Sequence, residues 1–415
     1  MSKQKIIKMK VLFGLFILGY TSVAFSQTDI NNELKKDVTF LASEALEGRN
    51  TGTKGELLAA GYIMGKFYEL GLIPKGENGY LQEFSVKPKY SPHSRVKVDT
   101  SKAITGRNII GYIDNKATRT IVIGAHYDHL GFGDEGSLYT GNDSIHNGAD
   151  DNASGVASII QLARILKEKN IGNNYLFIAF SGEEKGLWGS GWFVKHPTIE
   201  LSTINYMINL DMVGRLAPDM KLLVYGTGTS PVWNEELDKN TAGKFHLIKK
   251  ESGVGPSDHM SFYLQDIPVL HFFTGQHDDY HKPTDDADKV NVEGMASIIN
   301  LIDAVISDLD VSDKIAFTKT KDEESEKAPK YSVTLGVIPD YMFEGEGMRI
   351  DGIKENQPAQ LAGIQKGDVV VSMGDIPIKT MMDYVKSLSQ FKKGDKTIVI
   401  ILRNNKEKIA VDVQF

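Results

Sequence analysis

Apolar positions in this chain follow two rhythms between residues 56 and 309. In residues 56–70, Ala60, Ile63, Phe67 and Leu70 recur every three or four positions, and Gly71 stands where a helix C-terminal cap belongs. Residues 154–167 place Val156, Ile159, Ile160, Ala163 and Leu166 on one helical face, and residues 292–309 do the same with Met295, Ile298, Ile299, Ile302 and Ile306. Between these lie short, nearly continuous apolar runs at 80–86, 108–113, 120–125, 175–180, 206–210, 222–225 and 267–273. Runs of that kind alternating with amphipathic helices predict an α/β domain. Its sheet is mixed, largely parallel and buried between helices. Residues 30–46 read as an interrupted helix, followed by a Gly-rich polar loop.

The pattern changes twice at the ends. Residues 311–330 are charged and contain a proline, which marks a linker, and 331–415 hold short strands with helices predicted at 358–361 and 380–391. Residues 1–26 have lysines at 3, 5, 8 and 10, an apolar run from Val11 to Tyr20, and small residues Ala24 and Ser26. That is the grammar of a cleaved export signal, too short for a comfortable permanent span. The domains expected are therefore a signal peptide at 1–26, an α/β domain at 27–310, a linker at 311–330 and a small α+β module at 331–415.

Composition adds little. The net charge of −7 over 415 residues has no basic block outside the N-terminus, which argues against a nucleic-acid partner. The chain contains no cysteine, so disulfides play no part.

The candidate chemistry lies where predicted strands end. GAHYDHLG follows one apolar run, with His126, Asp128 and His129. NGADDNASG precedes a helix, with Asp150 and Asp151. SGEEKG brings Glu183 and Glu184, INLDMVG brings Asp211, and DDYHKPTDD brings Tyr280 and His281. In open α/β sheets, sites gather beyond the carboxyl ends of the strands, so these segments converge. Histidines and carboxylates in this number suit a pair of Zn2+ ions. Asp150 is the expected bridge between them. His126 and Asp211 complete one ion, Glu184 and His281 the other, and Glu183 stays unligated as general base for the attacking water. Asp128, two residues along an extended strand end, is placed to orient His126. His129 and His146 read as loop histidines, His271 as a core histidine, and Asp258 and His259 as a loop at the pocket border. Trp188 and Trp192 read as packing residues. Tyr280 is a candidate donor to the developing oxyanion.

These motifs, HxDH, GADDNASG, SGEExGLxGS, NLDMVG and YHxPxDD, resemble the zinc aminopeptidase family whose relatives include glutamate carboxypeptidases and glutaminyl cyclases. The resemblance spans about residues 31–310. It implies a zinc exopeptidase fold, removal of N-terminal residues from peptides, a metal-bridging first aspartate of the DD pair, and a cis bond joining that pair at Asp151. The opening LASEALEGRNTGTKG is similar to the exported bacterial branch. The tail, from LGVIPDY through LAGIQKGDVVVSMGD, resembles a bacterial-type PDZ domain, which implies capture of an extended peptide by strand addition. Its first-strand loop reads Leu335-Gly336-Val337 in place of the usual Gly-Φ-Gly-Φ. Rival readings are a carboxypeptidase or dipeptidase, with Arg215 as a candidate clamp for a substrate carboxylate, a glutaminyl cyclase, and a PDZ-based adaptor with no catalytic role.

Overall fold

The computed structural model describes residues 27–415 except 89–100, 140, 168, 170, 242, 311–312, 321–332, 341–342, 344, 355–356, 380 and 405. The expected signal segment and much of the linker lie outside the described residues. Among the described residues, no helix is long and apolar enough to cross a membrane.

The first domain opens with helices α1 (Gln27–Leu41) and α2 (Lys54–Glu69), joined through an irregular turn at Glu44–Arg49. Thr53 caps α2 by accepting the Glu56 N–H, and Gly71 follows with φ +69°, the conformation that glycine adopts most cheaply at a helix end. Strands β1 (Ile73–Pro74), β2 (Leu81–Val86) and β3 (Ile104–Ile113) form an antiparallel flank. The central strands are β4 (Thr120–His126), β5 (Asn174–Phe180) and β6 (Ile204–Leu210), with helices α3 (Gly155–Leu166) and α4 (Trp188–Lys195) between them. Strands β7 (Lys221–Tyr225), β8 (His246–Lys250) and β9 (Val269–Phe273) finish the sheet, with α5 (Trp233–Thr241) and α6 (His259–Tyr263) in the connections and α7 (Val292–Leu309) closing.

The sheet runs β1-β3-β5-β4-β6-β9-β7-β8, with β2 also paired to β3. Strands β5, β4, β6 and β9 are mutually parallel. Every residue of β4, β5 and β6 is buried, which is why their sequences show no alternation. After β4 the chain steps to β5 on one side, and then to β6 on the other. The carboxyl end of β4 is thus a point where strand order reverses, the place where such sheets form a crevice. The short elements β1, β8, α4 and α5 had no matching apolar rhythm in the sequence.

Residues 313–320 do not behave as linker. Ile315 is buried, and its N–H donates to Asn205 Oδ1 at 2.9 Å. The Thr318 N–H donates to the Thr229 carbonyl at 2.8 Å, and the Thr320 N–H to the Tyr263 hydroxyl at 2.9 Å. The packing of the first domain therefore runs to residue 320, ten residues past the expected border. A charged sequence conceals this because the strap is held through its backbone.

The C-terminal domain is a separate antiparallel sheet. Its strands are β10 (Val337–Pro339), β11 (Met348–Ile353), β12 (Val369–Met373), β13 (Ile376–Pro377), β14 (Lys396–Arg403) and β15 (Glu407–Gln414), with α8 (Pro358–Leu361) and α9 (Met381–Leu388). The order β10-β11-β12-β14-β15 leaves β10 at one edge. Leu335, Met348, Ile350, Val370, Val399 and Ile401 form its own core, so this module has the means to fold on its own.

Candidate metal centre

Four parallel strand ends deliver the site. His126 is the last residue of β4, and its Nε2 lies 3.2 Å from Asp211 Oδ1, just beyond β6, and 3.3 Å from Asp151 Oδ1. The other oxygen of Asp151 lies 3.2 Å from His281 Nε2, and His281 Nε2 lies 3.2 Å from Glu184 Oε2. The cluster is thus two groups sharing one carboxylate: His126–Asp151–Asp211, and Asp151–Glu184 with His281 and, on its other side, His129.

A zinc ion takes nitrogen and oxygen ligands at about 2.0–2.2 Å in a tetrahedron, whose edges are then roughly 3.3 Å. The four histidine-to-carboxylate separations match that edge, and the donor types are those zinc prefers. The residues present therefore fit a metal at each group.

The structure does not bring Asp150 into this cluster. Its Oδ1 accepts the Gly214 N–H at 2.6 Å and the Ser154 hydroxyl at 3.1 Å, while His277 Nε2 lies 3.1 Å from its Oδ2. The place between the two groups, expected of Asp150, is taken one residue on by Asp151. The cause is the backbone of the turn. Gly148 enters it with φ +57°, Asp151 has φ −104° and ψ 89°, and Asp285 Oδ2 accepts the N–H groups of both Asp150 and Asp151 at 2.9 and 3.1 Å. Those restraints aim the two carboxylates to opposite sides. The cis peptide bond is likewise displaced from its expected place, and joins Asp151 to Asn152.

His126 and His281 each have an acceptor for their remote nitrogen. His126 Nδ1 is 3.2 Å from the Asp128 carbonyl, and His281 Nδ1 is 2.9 Å from the Gly136 carbonyl. Asp128 is fully buried. It accepts the Thr51 hydroxyl at 3.0 Å and the Glu183 N–H at 3.1 Å, and its carboxylate stands 3.7 Å from His126 Nδ1. The Tyr280 ring stacks on His281 at 3.8 Å between centroids, so its packing role is visible.

The adjacent glutamates sit in opposite electrostatic surroundings. Burial pushes the Glu183 carboxyl up, Asp211, Glu184 and Asp258 add to that, and His126 only partly opposes it, leaving it well above the usual range. Glu184 is also buried, yet His281 and the hydrogen bond from His129 outweigh burial and hold it at about 2. Burial likewise pulls His281 down, but Glu184 and Asp151 carry it up to about 10. Two neighbouring carboxylates with affinities for protons pushed apart are the pattern of a proton carrier beside a fixed anion. Behind them Asp258, buried near His126, Asp128 and Asp211, is raised to about 7 chiefly by burial.

Three site residues went unrecognised in the sequence. His129 lies inside the cluster, with Nδ1 2.9 Å from Glu184 Oε1. His277 holds Asp150. Arg49 is fully buried beneath the turn. Its guanidinium donates to the carbonyls of Tyr127 at 2.7 Å, Asn147 at 2.7 Å and Gly148 at 3.0 Å, and to that of Leu41. The second histidine of HxDH was a signal for the first. Nothing local marked Arg49. Arg215, the candidate carboxylate clamp, is committed elsewhere, with Nη2 3.2 Å from both Asp279 and Asp285.

The sheet crevice lined by two His/carboxylate groups stands on a fold like that of solved zinc exopeptidases. Residues 108–306 match the profile of Peptidase family M28 and residues 306–413 that of a PDZ domain. Aminopeptidase YwaD of Bacillus subtilis is 29% identical over 219 residues, covering 49% of this chain. The match spans 44% of YwaD, less than half of that relative's own length. Among solved structures, a Zn-dependent exopeptidase from Parabacteroides distasonis aligns with TM-score 0.56 and 18% identity over 67% of this chain and 97% of its own. A glutaminyl cyclase from Bacteroides thetaiotaomicron aligns with TM-score 0.54 and 18% identity over the same shares. At that identity the two structures show the fold alone.

Proposed function

We propose that the chain is an exported aminopeptidase that works with two zinc ions and removes N-terminal residues from peptides. The observation that carries this is the pair of groups sharing Asp151, with Glu183 beside them outside either group. His126, Asp151 and Asp211 would hold one ion, and Asp151, Glu184 and His281 the other. Zinc in such a site supplies Lewis-acid polarisation of the scissile carbonyl and a water of lowered pKa. Glu183 accepts the proton of the attacking water and returns it to the leaving amine, and its raised proton affinity suits both transfers. The amino-terminal reading draws further support from the similarity to aminopeptidase YwaD. Export rests on the lysine-rich, then apolar, start of the sequence. The PDZ module would take an extended peptide along the open edge of β10, as a guide for substrate or a dock for a partner.

The carboxypeptidase reading loses support because Arg215 is neutralised by two aspartates. The cyclase reading has a specific observation in its favour, the similarity of fold to a glutaminyl cyclase.

The test is turnover of one peptide with its N-terminus free and acetylated. Cleavage of the free form alone, lost on chelation, is the expected result. Cleavage of both forms overturns the aminopeptidase reading, and cyclisation of an N-terminal glutamine without hydrolysis favours the cyclase. Glu183→Gln should lower kcat by at least about 100-fold while metal content, read by elemental analysis, stays at the wild-type value.

A further inference from the structure

We propose that His129 is a positioning residue for Glu184, holding one carboxylate oxygen so that the other alone is presented beside His281. This rests on the two-metal reading above. His129 is fully buried, and its Nδ1 is 2.9 Å from Glu184 Oε1. Glu184 Oε2 is the oxygen that faces His281, at 3.2 Å. The carboxylate is therefore divided, one oxygen to each histidine. Nδ1 of His129 is also 3.8 Å from Asp151 Oδ2, which is beyond hydrogen-bond range.

The remote nitrogen decides between positioning and direct ligation. A metal-bound histidine almost always passes its other N–H to an acceptor, and His126 and His281 each have one. Nε2 of His129 is buried with no hydrogen-bond partner among the described residues. Ligation through Nδ1 would put the ring proton on Nε2, a buried donor with nothing to receive it. A proton on Nδ1 instead donates to Glu184 and leaves only a bare acceptor enclosed. The ring is seated for this by Gly148, where an added Cβ would stand 2.6 Å from the His129 ring carbons. A carboxylate tied at one oxygen cannot close on a metal through both. His129 thereby limits Glu184 to one bond and leaves a coordination position for substrate or water.

The test uses metal-free full-length protein titrated with Co2+, read by stoichiometry, affinity and visible absorption. Wild type should take two ions. His129→Ala should weaken one of them by about ten- to a hundred-fold, with a fainter visible band as Glu184 closes on the ion through both oxygens. His129→Asn, whose side-chain N–H overlies Nδ1, should restore affinity and spectrum. Wild-type binding and spectrum in His129→Ala overturn the proposal, as does a loss in His129→Asn equal to that in the alanine variant, which marks His129 as a ligand. Wild type that binds fewer than two ions overturns the two-metal reading itself, and the variants play no part in that result. Should the alanine variant not fold, 15N spectra of histidine-labelled wild type decide. A proton on Nδ1 of His129 is expected, and a proton on Nε2 overturns the proposal.

Discussion

Asp150 and Asp151 carry the same side chain one position apart, and the turn assigns them different tasks. Asp151 spans both groups, while Asp150 ties Gly214, Ser154 and His277 together. Asp151→Asn is expected to abolish tight binding of both ions. Asp150→Asn should retain them and instead cost about 1–3 kcal/mol of stability through its mismatched buried partners, as read by denaturant unfolding beside elemental analysis. The residue types of the cluster were legible in the sequence because His126, Glu184 and Asp211 lie at or just past the ends of apolar strands and Asp151 stands just before a helix. Which of two identical neighbours faces inward was not, since that depends on dihedral angles around Gly148 and on Asp285, which lies far along the chain. The Glu184–His281 pair also sets a pH dependence. Glu184, lowered from 4.5 to about 2, adds stability that is complete above its ordinary value and fades as pH falls through about 2. His281, raised from 6.5 to about 10, adds stability that is complete below its ordinary value and fades as pH rises through about 10. In chelator, this pair should stabilise the fold most between pH 4.5 and 6.5, a window visible in denaturation midpoints measured across pH. Because His281 must lose its proton to bind a metal, uptake at pH 7 should release protons into weak buffer.

Among the elements, the long ones were readable and the short ones were not. Helix α7 matches its predicted bounds, because five apolar residues at helical spacing leave little choice. Strand β8 and helix α5 are short and half exposed, and charge masks their rhythm. The least readable piece is the turn before α2, where Glu47, Gly48 and Arg49 take φ values of 47°, 66° and 50°. Its left-handed course carries Arg49 under the metal turn. Burial lowers that guanidinium to about 10, with Asp151, Asp128, Asp285 and Glu184 opposing the shift, so it remains charged at neutral pH. Arg49→Ala strands four backbone carbonyls and should cost at least about 3 kcal/mol. Metal affinity is expected to fall with it, because Tyr127, Asn147 and Gly148 border the ligands on both sides. A chemical unfolding curve and a metal titration on the same variant check both outcomes.

At the scale of the whole molecule, the C-terminal domain carries a hydrophobic cluster separate from those of the first domain. The PDZ module has its own hydrophobic centre, so removal of residues 331–415 should leave melting of the hydrolase and turnover of short peptides near wild type. A chain ending at residue 312 loses the strap on Asn205, Thr229 and Tyr263 as well, and should melt several degrees lower in a thermal scan. The sequence could not show that a charged segment is anchored by main-chain hydrogen bonds. The guanidinium beneath the turn also has a practical meaning for anyone transplanting this domain. All the residues that would hold metal lie downstream of residue 108, yet their geometry is secured from the far side by a residue contributed near the start of the folded chain. A fragment cut to the matched segment would keep every donor atom and lose the brace that aims them. The transferable unit is residues 27–320, moved as one piece.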